Sequence, residues 1–208
     1  MLVVGVAAGY LVWGGRGDGS GATNGDATAT LVEAQTDRLR PGRDYYVFIK
    51  TVELYPTQPD GGAWDRIDGS APDVRYALTW QGLDVFEAET RSDTLIGVWD
   101  PISVDVREAL PVLGDGRLEL ASVLNRGAIV NVSNDAEVIV KVWDQDPPGL
   151  RSDAAGQVTL RLAELREGDT ELMFEASEVN AIKRIVVGAT DTSRGVRNLV
   201  EALSAPRP

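Results

Sequence analysis

Short apolar runs with a period of two, each closed by glycine, proline or aspartate, limit what this chain can fold into. Residues 136–143 are the clearest case. Val138, Val140 and Val142 fall on one side of an extended strand, and Ile139, Lys141 and Trp143 on the other. Such alternation fits a strand with one face in a core, and a helix would scatter it. Tyr45 to Val52, Val74 to Trp80, Leu83 to Glu87, Gln157 to Leu162, Leu172 to Ala176 and Ile182 to Ala189 read as further strands. Strands separated by turn residues predict an all-β fold, an antiparallel sandwich. Helical spacing is rarer. Asp105 to Leu110 and Arg117 to Asn125 are short candidates. Ser193 to Leu203 is the best, with Val196, Leu199, Val200 and Leu203 on one face and Thr192 or Ser193 as the cap. Residues 90–135 carry the weakest pattern.

The residue inventory removes several function classes. The chain has 208 residues, 43% of them hydrophobic, which is enough for one sizeable core. Its formal charge of −12 opposes nucleic-acid binding, which needs a basic face. It has no cysteine and no histidine. Disulfides, thiolate or imidazole metal sites and histidine-based catalysis are therefore excluded. The acidic pairs Asp84/Glu87 and Glu164/Glu167 have no sequence feature placing them across a cleft, so they read as solvated surface. Trp64, Trp80, Trp99 and Trp143 read as core or loop-packing aromatics. Catalysis is not expected.

The N-terminal segment has a different character. Residues 1–13 form an uncharged apolar run, too short for a free-standing membrane helix of ~20 residues. With the linker that follows, the run suggests a transmembrane anchor or a signal remnant, on a membrane-anchored or secreted protein. The linker, residues 14–30, is rich in Gly, Ala, Thr, Ser, Asn and Asp, a composition that cannot bury a core. The folded part is expected over residues 31–191, followed by a C-terminal helix and tail over 192–208.

Two acidic clusters hold most of the functional information. Asp65, Asp68 and Asp73 precede the strand that starts at Val74. Asp144, Asp146 and Asp153 follow the strand that ends near Trp143. At an effective dielectric of ~20, two like charges ~4 Å apart cost about 4 kcal/mol. A fold that brings the clusters together needs a hard cation, and oxygen-only ligands in loops suit Ca2+ best. Asp144 and Asp146, two apart, share a strand face. The calcium loop of an EF-hand does not fit, because counting from Asp144 puts Ala155 where a bidentate glutamate belongs.

Strand, loop and spacing together resemble a C2 domain, over roughly Asp44 to Ala189. In the first loop, Asp65 and Asp73 match the family's two aspartates, and Val74-Arg75-Tyr76-Ala77-Leu78 its next strand. Val142-Trp143-Asp144-Gln145-Asp146 and Asp153-Ala154-Ala155-Gly156 match the third loop, with Gln157 to Leu162 as the following strand. The chain departs from the pattern in a longer first loop, where Asp65 and Asp68 compete for one role, and in Pro72 preceding Asp73. The resemblance implies an antiparallel eight-stranded C2-type sandwich, to which the apolar spacing adds short helical insertions and a C-terminal helix. It also implies Ca2+ held by Asp65, Asp68, Asp73, Asp144, Asp146 and Asp153, and docking onto a phospholipid membrane or a protein partner. Leu150 and Arg151, at the tip of the third loop, are the membrane-contact candidates. The alternative is a calcium-independent protein-interaction sandwich.

Overall fold

The computed structural model describes residues 38–64, 69–113, 119–133, 135–146 and 152–204. All of them belong to one compact unit, Thr36–Pro208. The elements run β1 (Asp44–Leu54), β2 (Val74–Trp80), β3 (Leu83–Glu87), β4 (Ile96–Val98), α1 (Val104–Leu113), α2 (Leu120–Val123), β5 (Ala128–Asn131), β6 (Glu137–Asp144), β7 (Asp153–Arg161), β8 (Gly168–Met173), β9 (Ile182–Asp191) and α3 (Val196–Ser204). Two antiparallel sheets result, ordered β3-β2-β6-β7 and β4-β1-β9-β8, with β5 also on β1. Strands β4 and β5 pair with β1 at 51–53 and at 44–47. They share one edge position, and the sandwich has eight strand positions. The all-β antiparallel sandwich expected from the sequence is the architecture observed.

The alternation in β6 places its side chains as expected. Val138, Val140 and Val142 are buried in the inter-sheet core, facing Val47, Ile49, Ile185 and Val187 of the other sheet. Strand β1 behaves differently, because it is buried on both faces. Tyr45, Val47 and Ile49 point into the sandwich, whereas Tyr46 and Phe48 belong to a second apolar cluster. That cluster contains Ile102, Val123, Leu124, Leu199 and Val200, so α2, α3 and the segment around Ile102 cover the outer face of the sheet. This third layer explains why β1 reads as a nearly continuous apolar run. Burial pushes the Tyr46 phenol far above its usual range. It therefore stays a donor, to the Pro101 carbonyl at 2.7 Å, while accepting from the Arg126 amide at 2.9 Å.

Several boundaries moved. Strand β8 begins at Gly168, four residues before the expected Leu172, because its outward positions carry Asp169 and Glu171 and dilute the apolar signal. Strand β7 begins at Asp153. Helix α1 continues past Pro111, where the sequence reading stopped, since a proline in the last turn costs one hydrogen bond and does not end the helix. Thr192 and Ser193, the expected caps of the C-terminal helix, instead lie in a short 3-10 turn, Thr192–Arg194, which Asp191 caps by accepting from the Ser193 amide; the helix itself starts at Val196.

The expectation of a transmembrane segment is corrected. Among the described residues no helix is long and apolar enough to cross a membrane. The ten residues of α1 fall well short of the ~20 that a bilayer needs. Residues 1–13, on which that expectation fell, and the linker at 14–30 lie outside the described residues.

Candidate functional site

The end of the four-stranded sheet is built by three neighbouring strand ends. Val74, the first residue of β2, is the cross-strand partner of Asp144, the last of β6. Asp144 in turn pairs with Asp153, the first of β7. The sheet ladder therefore brings Asp73, Asp144 and Asp153 to one edge. The Asp73 amide donates to Asp144 Oδ1 at 2.7 Å, and the Gln145 amide donates to the Asp73 carbonyl at 2.8 Å. Asp144 is 3% exposed, an unusual environment for a carboxylate. Asp146 follows two residues later and is half-buried.

A bulge aims Asp153. Opposite β6 the register shifts between Val142 and Trp143, leaving Ala155 as the extra residue of β7. Ala155 fills the core, and its carbonyl accepts from the Ala181 amide at 2.7 Å. Without the extra residue every side chain before it would change face, and Asp153 would turn away from Asp144. Gly156 makes the bulge possible. Its φ is +150°, and a Cβ there would come within 2.6 Å of Asn180 Oδ1.

The first loop is tied to this edge by neutral donors. Gln58, itself buried, donates from Nε2 to Asp153 Oδ2 at 2.8 Å and to the Trp64 carbonyl at 3.1 Å. Trp64 anchors the loop by donating from its indole to the Tyr55 carbonyl at 2.9 Å. Asp65 and Asp68, the remaining first-loop candidates, lie outside the described residues, as do Leu150 and Arg151.

Sequence reasoning missed Asp93, on the turn between β3 and β4. Its amide donates to Asp73 Oδ1 at 2.8 Å, and its own Oδ1 accepts from the Ala71 amide at 2.9 Å. Its φ of +50° suits an aspartate in a turn. A Thr94 amide bond to the Pro72 carbonyl and a β-bridge between Val74 and Arg91 hold the turn in place. The available signal was weak, an Arg-Ser-Asp turn in the least patterned part of the chain.

The donor chemistry of this edge suits a hard cation, since it offers only oxygen. Among the described residues, however, no group of three or more acidic side chains stands in metal-holding geometry.

No family model matches the chain, and no curated protein does. Solved structures do. A human GIVD cytosolic phospholipase A2 complex is 14% identical at a TM-score of 0.44, covering 74% of this chain and 18% of the phospholipase. A C2 domain of plant Extended Synaptotagmin 1 is 12% identical at a TM-score of 0.44, covering 74% of this chain and 98% of that domain. A further structure described as a C2 domain is 9% identical at 0.42, covering 71% and 98%. This chain thus matches less than a fifth of the phospholipase and nearly the whole of the isolated domains.

Proposed function

We propose that this C2-type sandwich takes Ca2+ at its acidic edge and, with the ion bound, docks onto a phospholipid membrane. The observation that carries the reading is the direct link between the two clusters, the Asp73 amide bonded to the buried Asp144 carboxylate, with Asp153 as the next cross-strand neighbour. A buried carboxylate flanked by two others is poorly solvated, and a divalent cation offsets both the desolvation and the repulsion. Asp73, Asp144, Asp146 and Asp153 would supply oxygens, Asp65 or Asp68 would close the first-loop side, and Asp93 would brace Asp73 from the second turn. Leu150 and Arg151 are the proposed membrane contacts. A calcium ion beside them would reverse the local negative potential of a chain whose formal charge is −12.

The test is a calorimetric titration with calcium of the full chain and of a variant combining Asp144→Asn with Asp146→Asn. Each lost carboxylate removes a charge-assisted ligand, so affinity should fall about tenfold or more. Co-sedimentation with phosphatidylcholine–phosphatidylserine vesicles should need calcium and fail in the same variant. A chain that takes up no calcium and ignores vesicles would return the reading to a calcium-independent protein-interaction module.

A further inference from the structure

The third layer makes a pocket that the two sheets alone would lack. Between the outer face of the five-stranded sheet, α1 and α3 lies a cavity of about 510 Å3, with Phe48 in its lining. Three cations from three different elements line it, Lys50 of β1, Arg107 of α1 and Arg194 of the 3-10 turn before α3, together with their ion-pair partners Asp169, Asp100 and Glu167. The Thr190 side chain joins them from β9. We infer that this cavity is a binding site for a small organic phosphate, separate from the acidic edge.

Four observations carry the inference. Lys50 sits at a bulge, because the β1–β9 register shifts between Ile49 and Thr51. Bulges re-aim side chains, and this one leaves the ammonium 5.8 Å from the centre of the Phe48 ring, among the pocket residues. Next, Arg107 Nε is buried without a hydrogen-bond partner among the described residues. A buried guanidinium N–H lacking an acceptor is costly, so the Arg107 side chain gains by turning toward an incoming ligand oxygen. Third, the carboxylates that pair with the inner cations are the more exposed partners. Lys50 is 17% exposed against 47% for Asp169, and Arg107 33% against 54% for Asp100. Those acids can swing into water when a stronger anion arrives, since exposed ion pairs hold weakly. The Arg194–Glu167 pair reverses the order and belongs to the solvent side.

The last observation is size. The volume exceeds what a bare phosphate fills and lies in the range of sites for small organic ligands. Leu203 of α3, only partly buried, offers apolar surface to the body of the ligand. Two guanidinium groups beside an ammonium are suited to a phosphate, which each guanidinium can grip with two parallel N–H bonds. The phosphate can belong to a soluble metabolite or to a lipid headgroup, and the chemistry of recognition is shared.

The experiment is a titration of the full chain, in calcium-stripped buffer, with glycerol 3-phosphate and with inorganic pyrophosphate, followed by amide chemical shifts and calorimetry. Saturable binding is expected, with shifts at Phe48, Lys50 and Thr190 and none at Asp73 or Asp153. Lys50→Met and Arg107→Gln should each weaken it about tenfold or more, the effect of one charged hydrogen bond. Should either variant fail to fold, Arg194→Gln at the exposed side decides, with the same loss expected. Vesicles of phosphatidic acid in phosphatidylcholine distinguish the sources. Capture without calcium, lost in these variants, assigns a lipid headgroup, and soluble binding without capture assigns a free phosphate. No saturable binding of either probe up to millimolar concentration, or equal binding by the folded variants, overturns the inference. Calcium titration at the acidic edge should be unchanged in the same variants, which separates this outcome from the calcium reading.

Discussion

Asp191 shows how much one buried carboxylate can carry. It ends β9, accepts from the Ser193 amide at 2.8 Å and pairs with Arg43 Nη1 at 2.7 Å. Burial alone would raise its pKa, but the hydrogen bonds from Ser193 and the Arg43 guanidinium outweigh that and hold it at about 2. A carboxyl depressed in the folded state stabilises the fold above its unfolded pKa, near 3.8, and that contribution fades as pH falls through about 2. The shift corresponds to about 2 kcal/mol. Urea midpoints measured from pH 5 to pH 2 should decline, and Asp191→Asn should flatten the decline while lowering stability at pH 5. Gly188 makes the complementary point about space. It pairs across the sheet with Phe48, and a Cβ there would come within 2.2 Å of the ring. Gly188→Ala should cost about 1–3 kcal/mol, read as a lower thermal midpoint, because the Phe48 ring is held between β9 and the outer cluster.

At the level of elements, legibility followed periodicity. Strands β2, β3, β6 and β9 were readable because each alternates apolar residues along one face, and β6 and β9 end on an aspartate. Strands β4 and β5 were not. They have three and four residues, and only their pairing with β1 gives them identity. The third layer was half legible. The apolar face of α3 was visible in Val196, Leu199, Val200 and Leu203, but nothing in its sequence named Tyr46 and Phe48 as the surface it covers. The acidic edge was legible in its aspartates, while the hydrogen bonds from Gln58 and Asp93 were invisible because they depend on loops meeting in space. The outer cluster should come apart before the sandwich. Leu199 is fully buried there, and Leu199→Ala should lose about 2–5 kcal/mol. Hydrogen exchange should then rise first in α3 and α1, with β6 still protected, and uniform exposure of both layers would show that they unfold as one.

For the sandwich as a whole, the decisive pairing is between the first and the last of its described strands. Strand β1 lies against β9 along most of its length, from Tyr45 beside Asp191 to Leu54 beside Ile182. Topologies dominated by such distant pairings close late and slowly. On a ribosome the first strand emerges with its principal neighbour still unmade. The intervening β2–β3 hairpin and the β6–β7 pair are complete long before that neighbour appears. Synthesis therefore leaves the Tyr45–Ile49 segment, buried along its whole length in the folded domain, waiting for a companion encoded almost a full domain later. Chaperone dependence should concentrate on that interval of translation.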